Sequence, residues 1–304
     1  MPDRRAHRGP HPEDARLFAA EVHATLRQAT GDLCWLLSRG YAGESSLKLV
    51  GDRYGLLARQ RIAVARCACS DAAAADRQSR QVAPEALRGR PLWIDGYNVL
   101  TTIEAALGGG VLLFACDGAL RDMASMHGSY RKVAETVPAL ELIGRTIADL
   151  GVTESIWYLD RPVSNSGRLK GIMEQLAAER GWAWRVDLLD DPDAVLTTAV
   201  GAAVELPPQL DAACGAGVSP AEAAGTAAPQ GAIVATADSA ILDHCDAWLN
   251  LARETVERHV PGANIVDLCS AWDSSTPPLS DDELTAAAAE ILMELDRREA
   301  DAAH

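Results

Sequence analysis

The sequence predicts an α/β protein with a mostly parallel central sheet, preceded by a small all-α domain. Three observations predict this. Short apolar runs leading to an acid recur after residue 90: Leu92-Trp93-Ile94 before Asp95, Ser155 to Leu159 before Asp160, Ala183 to Leu189 before Asp190-Asp191, and Ala232 to Ala235 before Thr236-Ala237-Asp238. Stretches of helical length separate them, which is the alternation of a βαβ chain. Before residue 90 only helical patterns occur, and the charge changes sign there. Residues 1–90 carry 15 Lys+Arg against 10 Asp+Glu, a net of +5; the remainder carries 13 against 33, a net of −20.

The 304 residues suit two modest domains, and an apolar fraction of 48% can build a sizeable core. No apolar run approaches the ~20 residues of a membrane span. The N-terminus, MPDRRAHRGPHPED, lacks the apolar segment of a signal peptide. The seven cysteines are scattered, and Cys67 and Cys69 are separated by one residue, which fits neither a redox pair nor a zinc knuckle. A reducing cytoplasm is the expected location.

In chain order, Pro12, Glu13 and Asp14 open a helix expected to run to about Gly40, with Gly31 as a candidate break. Ser45 or Ser46 caps a second helix, Leu47 to Tyr54, and a third covers Leu57 to Cys69. The pair joined at Gly55 has the length of a helix-turn-helix, and Arg59, Arg61 and Arg66 on its second member are candidates for DNA phosphates. The plainer reading is a bundle that packs on its neighbour or makes a homodimer. The helical domain is assigned to residues 1–80, with 81–90 as linker inside an Ala- and Arg-rich stretch beginning at Asp71.

The α/β domain is assigned to residues 91–270. After strand Leu92–Ile94 comes a helix from Val99 to about Leu107, then a short strand or hairpin arm at Val111–Phe114. GALRDMASMHGSYRKVAET is helical in composition, and Pro138 opens a further helix ending near Gly151. A helix ending near Gly181 follows the Arg161–Gly167 loop. Residues 201–230, rich in Ala, Gly and Pro, read as a flexible insertion. Ser239 is placed to cap a helix, a strand is expected at Asn264–Val266, and residues 271–304 form a tail with a helix from Ser280 to Arg298.

Acids at the tips of parallel strands collect along one edge of the sheet, where ligands bind. Clustered carboxylates repel and are costly to desolvate unless a cation compensates, and a hard divalent ion with oxygen ligands is the natural partner. The plain alternative is that each acid forms a turn or caps a helix.

IDGYNVL resembles the first motif of the PIN-like nuclease superfamily, particularly its NYN branch, and ATADSAI is similar to that superfamily's later motif. The chain also resembles an uncharacterised prokaryotic family in which a short helical domain precedes a PIN-like domain. The segments DRYGLLARQRIAVARCACSD, IDGYNVL, DRPVSNSG and TADSAIL carry that likeness over roughly residues 11–260. The resemblance implies a PIN-like three-layer fold and Mg²⁺- or Mn²⁺-dependent hydrolysis of RNA. It assigns Asp95, Asp160 and Asp238 as metal-binding catalytic acids, with Asp122 as the helix-borne acid and Glu104 and Asp117 behind it. Asp243, one helical turn past Asp238, is a further metal candidate. Asn98, Ser239, Arg121 and the loop residues Arg161, Ser164 and Asn165 are the expected substrate contacts.

Two other chemistries are disfavoured. A haloacid-dehalogenase phosphatase needs a second Asp where Tyr97 stands, and a dinucleotide-binding Rossmann turn needs the glycines that DGYNVL lacks. The remaining rivals are an inert PIN-like module that binds RNA or protein, and a DNA-binding regulator acting through the N-terminal helices.

Overall fold

Each apolar run that ends in an acid forms a strand of one sheet. The computed structural model describes residues 7–123, 130–198 and 232–269. A helical bundle comes first: α1 (Asp14–Leu17), a 3₁₀ turn, then α2 (His23–Ser38), α3 (Gly43–Arg53), α4 (Ala58–Cys67) and α5 (Asp71–Arg80). Gly31 does not break α2, whose apolar face (Leu26, Ala29, Leu33) is held in the core on both sides of it. The stretch from Asp71, expected to be part of a connecting segment, is helical. The Ser70 hydroxyl caps it by accepting the Ala73 N–H at 3.2 Å.

The α/β part follows as β1 (Leu92–Asp95), α6 (Gly96–Leu107), β2 (Leu112–Phe114), β3 (Leu120–Asp122), α7 (Thr136–Asp149), β4 (Ser155–Asp160), α8 (Ser166–Arg180), β5 (Trp184–Leu189), α9 (Pro192–Thr197), β6 (Ile233–Ala235), α10 (Ser239–Leu242), β7 (Trp248–Leu249), α11 (Leu251–His259) and β8 (Ile265–Asp267). The main sheet has the order β5-β4-β1-β6-β7, and every pairing in it is parallel. From β1 the chain builds outward to β4 and β5, then returns to β6 on the other side of β1. The topological switch therefore lies between β1 and β6, where an open parallel sheet forms its crevice.

Period-two alternation sorts the side chains. Leu92, Ile94, Trp157, Leu159, Ile233 and Ala235 face a core shared with α6, α7, α8 and α11. Ile156, Tyr158 and Val234 face the opposite side, against Leu196 of α9 and Ile241 and Leu242 of α10. A second, three-stranded sheet, β3-β2-β8, covers the helical bundle: Val111, Leu113 and Val266 pack with Leu26, Leu33, Val64 and other bundle residues. The described residues lie in one compact unit, Met1–Cys269.

Three expectations are corrected. Residues 120–122 form a strand, not part of a helix. Three residues cannot display a period, and antiparallel pairing to β2 decides their conformation. Asp238, rather than Ser239, caps α10. A disulfide, Cys116–Cys269, forms in a chain whose scattered cysteines pointed to a reducing location. The expected insertion at 201–230 and the terminal helix lie outside the described residues. Among the described residues no helix is long and apolar enough to cross a membrane.

Candidate acidic site at the C-terminal edge of the sheet

Two turns stitched together form the floor of the crevice. Asp95 ends β1 and caps α6, accepting the Asn98 N–H at 3.4 Å. Gly96 is required here because a Cβ would lie 2.6 Å from Leu159 Cδ2 and 2.8 Å from the Tyr158 carbonyl oxygen. Gly96→Ala is expected to destabilise the fold by about 1–3 kcal/mol through overpacking, as read by urea unfolding. From the other side, the Thr236 hydroxyl donates to Asp95 Oδ2 at 2.8 Å, and the Ala237 N–H donates to Asn98 Oδ1 at 2.9 Å. Asp238 donates its N–H to Thr236 Oγ1 at 3.0 Å and accepts the Ala240 N–H at 2.7 Å. The motifs DGYN and TADS are thus bonded to each other through backbone and side chains. Asn98 Nδ2 has no bonding partner among the described residues.

Charge accumulates around this floor. Asp95 is half-buried, and its carboxyl is the more enclosed part of it. Burial pushes it up to about 7; the Thr236 hydroxyl opposes this, and the charges of Asp193 and Asp238 reinforce it. Asp160, at the tip of β4, is raised by burial and by Asp191. Asp193, in the first turn of α9, is raised by burial and then by Asp238, Asp160 and Asp191. The carboxylates from β1, β4, α9 and the β6 tip therefore feel one another's charge. Among the described residues no ion pair reaches Asp95, Asp160, Asp193 or Asp238. Acids elsewhere in the interior are paired: Asp14 with Arg59, Glu104 with Arg8, and Asp117 with Arg77 and Arg121.

Asp193 escaped the sequence reading, although the run DDPD carries its signal. Asp191 caps α9 by accepting the Ala194 N–H at 3.0 Å, and Pro192 takes the first helical position. This helix start turns Asp193 towards the charge of Asp160 and Asp238.

Other expected site residues have different partners. Asp122 is buried on β3, where it accepts the Thr101 and Thr102 hydroxyls at 3.0 and 3.1 Å and pairs with Arg66 at 3.6 Å. Asp243 pairs with Arg77 at 2.7 Å. Glu104 is buried, accepting from Tyr130 and Thr136. The carboxylates that raise Asp95 most are Asp193 and Asp238, not Asp122 or Asp243. Arg121 and Ser239 hold the turn from behind: Arg121 donates to the Ala237 carbonyl at 2.7 Å and to Ser239 Oγ at 3.2 Å. Arg161 is exposed and pairs with Asp190 at 3.1 Å. The Ser164 carbonyl accepts the Tyr130 N–H, and Asn165, with φ +71°, donates to the Tyr130 carbonyl at 2.9 Å. The loop is thus tied to chain distant in sequence, at Tyr130 and Asp190. In the bundle, Arg59 and Arg61 are tied to Asp14 and Asp52.

The donor set at the edge is all oxygen and anionic, which suits a hard divalent ion. Among the described residues, however, no group of three or more His, Cys, Asp or Glu side chains is gathered tightly enough to hold a metal ion. The carboxylates share a field without converging on one point.

A domain of unknown function, DUF5616, matches residues 84–205, and a protein family of unknown function, DUF434, matches residues 25–80. The two matches meet at the junction between bundle and sheet. The chain is similar to an uncharacterized protein, MJ0935, of Methanocaldococcus jannaschii, at 28% identity over 155 residues, covering 51% of this chain and 74% of the relative. No solved structure matches.

Proposed function

We propose that the protein is a ribonuclease of PIN-like type, dependent on Mg²⁺ or Mn²⁺, working at the β1–β6 crevice in the cytoplasm. The observation that carries this reading is the contrast in pairing. Asp14, Glu104 and Asp117 inside the fold have arginine partners, whereas Asp95, Asp160, Asp193 and Asp238 have none among the described residues, and neighbouring carboxylate charge adds to burial in raising Asp95, Asp160 and Asp193. A bound divalent ion would relieve that repulsion; Asp95, Asp160, Asp193 and Asp238 are the residues that would hold it, and it would have to draw them closer than they stand. Such an ion supplies an activated water and charge stabilisation for phosphodiester hydrolysis. The chain's own contribution is placement. Thr236 orients Asp95, Asn98 fixes Ala237 and keeps its Nδ2 for a substrate oxygen, and Arg121 braces the turn bearing Asp238.

The second reading is a PIN-like module that binds RNA without cutting it. The spread of the carboxylates favours it. End-labelled RNA incubated with the full chain and Mn²⁺ separates the two. Cleavage that falls at least ~100-fold in Asp95→Asn and in Asp238→Asn, and persists in Asp122→Asn, supports the nuclease; the size is that of losing a group essential to catalysis. RNA left intact at every Mn²⁺ concentration, with binding retained, rejects it in favour of the module.

A further inference from the structure

Cysteines from four segments converge where the bundle meets the small sheet. Cys34 on α2 is buried, and its Sγ lies 3.9 Å from Sγ of Cys116 in the β2–β3 turn. Cys116 is bonded to Cys269, just beyond β8. The Cys116 N–H donates to the Cys67 carbonyl at 2.9 Å, and the Cys69 backbone hydrogen-bonds to the Cys34 sulfur. These bonds hold Cys34 and Cys116 side by side.

We infer that Cys34, Cys116 and Cys269 form a thiol–disulfide exchange site in which Cys116 trades one partner for the other. The Cys34 thiol loses its proton and its sulfur attacks Cys116 Sγ. A Cys34–Cys116 bond forms as the Cys116–Cys269 bond breaks, and the electron pair leaves on Cys269 Sγ, which takes up a proton. One disulfide and one thiol stand on each side, so no oxidant or reductant is consumed. Closing 3.9 Å to the ~2.05 Å of a disulfide is within reach of side-chain rotation and a small backbone shift.

The two crosslinks do different work. Cys116–Cys269 closes a sequence separation of 153 and ties the small sheet to itself, β2 end to β8 end. Cys34–Cys116 ties that sheet to helix α2 and releases Cys269. Burial, with the charges of Asp71 and Asp117, pushes the Cys34 thiol up to about 11 against the help of the Cys69 backbone. Thiolate is then scarce at neutral pH and the trade is slow.

The test is disulfide mapping of the full chain. The protein is equilibrated in a glutathione redox buffer at pH 8, quenched with acid, alkylated, and digested without reduction for mass spectrometry. Wild type is expected to yield both the Cys116–Cys269 and the Cys34–Cys116 peptides. Cys269→Ser is expected to carry most of Cys116 joined to Cys34, and Cys34→Ser only Cys116–Cys269. A wild-type map without any Cys34–Cys116 peptide after equilibration overturns the inference, a readout independent of whether Cys269→Ser disturbs β8. So does Cys269→Ser with Cys116 alkylated or glutathionylated while Cys34 stays free. Protection of these cysteines from alkylation by one tightly held Zn²⁺ per chain also overturns it, because the sulfurs would then be metal ligands.

Discussion

Asp95→Asn is expected to stabilise the protein at pH 8 and to flatten its dependence on pH. The carboxyl of Asp95 is pushed from 3.8 up to about 7 in the folded state, chiefly by burial. Between those values the folded chain binds more protons than the unfolded one, so stability falls as pH rises through that window and the full penalty is present above it. Three pKa units correspond to roughly 4 kcal/mol. Because part of Asp95 reaches water, about 2–3 kcal/mol is the expected gain from the amide at pH 8, with little difference at pH 4. Urea unfolding of both proteins from pH 4 to 8 measures it. Adding Mn²⁺ turns the comparison into a probe of the site. An ion held by Asp95 stabilises the folded state by mass action, so wild type should gain with added Mn²⁺ at pH 8 and Asp95→Asn should not. Equal curves for the two proteins at all pH values would mean that Asp95 carries no buried charge, and the acidic site would lose its centre.

The largest loss is expected from Arg121→Met. Its guanidinium is buried and bonds Asp117 twice, at 2.6 and 2.9 Å, as well as the Ala237 carbonyl and Ser239. Asp117 is itself buried, with Arg77 from α5 as its second partner. Removing one member of such a network costs about 3–5 kcal/mol, because buried charge loses its compensation. For a chain of this size that is roughly 6–20 °C in Tm. Burial pushes the Asp117 carboxyl up, but Arg121 and Arg77 outweigh it and hold it below its usual 3.8. Its contribution is therefore present above pH 3.8 and lost as pH falls through the lower folded value. The gap between wild type and Arg121→Met should be full at pH 5–7 and close in strong acid. Arg121→Met combined with Asp117→Asn should recover part of the loss, since the orphaned charge is then gone.

The strand tips were readable because a parallel strand buried on both faces leaves a continuous apolar run, and the acid that ends it stands out. Asp95, Asp160 and Asp238 could be located from that pattern alone. Asp122 could not: LRD offers no period, its neighbours are good helix formers, and only pairing with β2 places it on a strand. Asp243 is one helical turn from Asp238 as expected, but α10 has four residues and Arg77, far away in sequence, takes the carboxylate. Asp193 was within reach, since Asp-Pro at a helix start is a local signal. The two residues of β7 and the Cys116–Cys269 bond carry no local signal at all. They exist because chain segments distant in sequence meet.

The small sheet has a consequence for how the protein is made. The bundle's apolar core includes Leu17 at one end of the described chain and Val266 and Leu268 at the other. At ribosomal rates these ends emerge roughly ten to fifty seconds apart. During that interval the N-terminal helices lack the β2–β8 surface that covers them, and their oily faces stay open to water. Nascent chains paused before β8 should therefore bind chaperones of the ribosome exit more strongly than full-length ones.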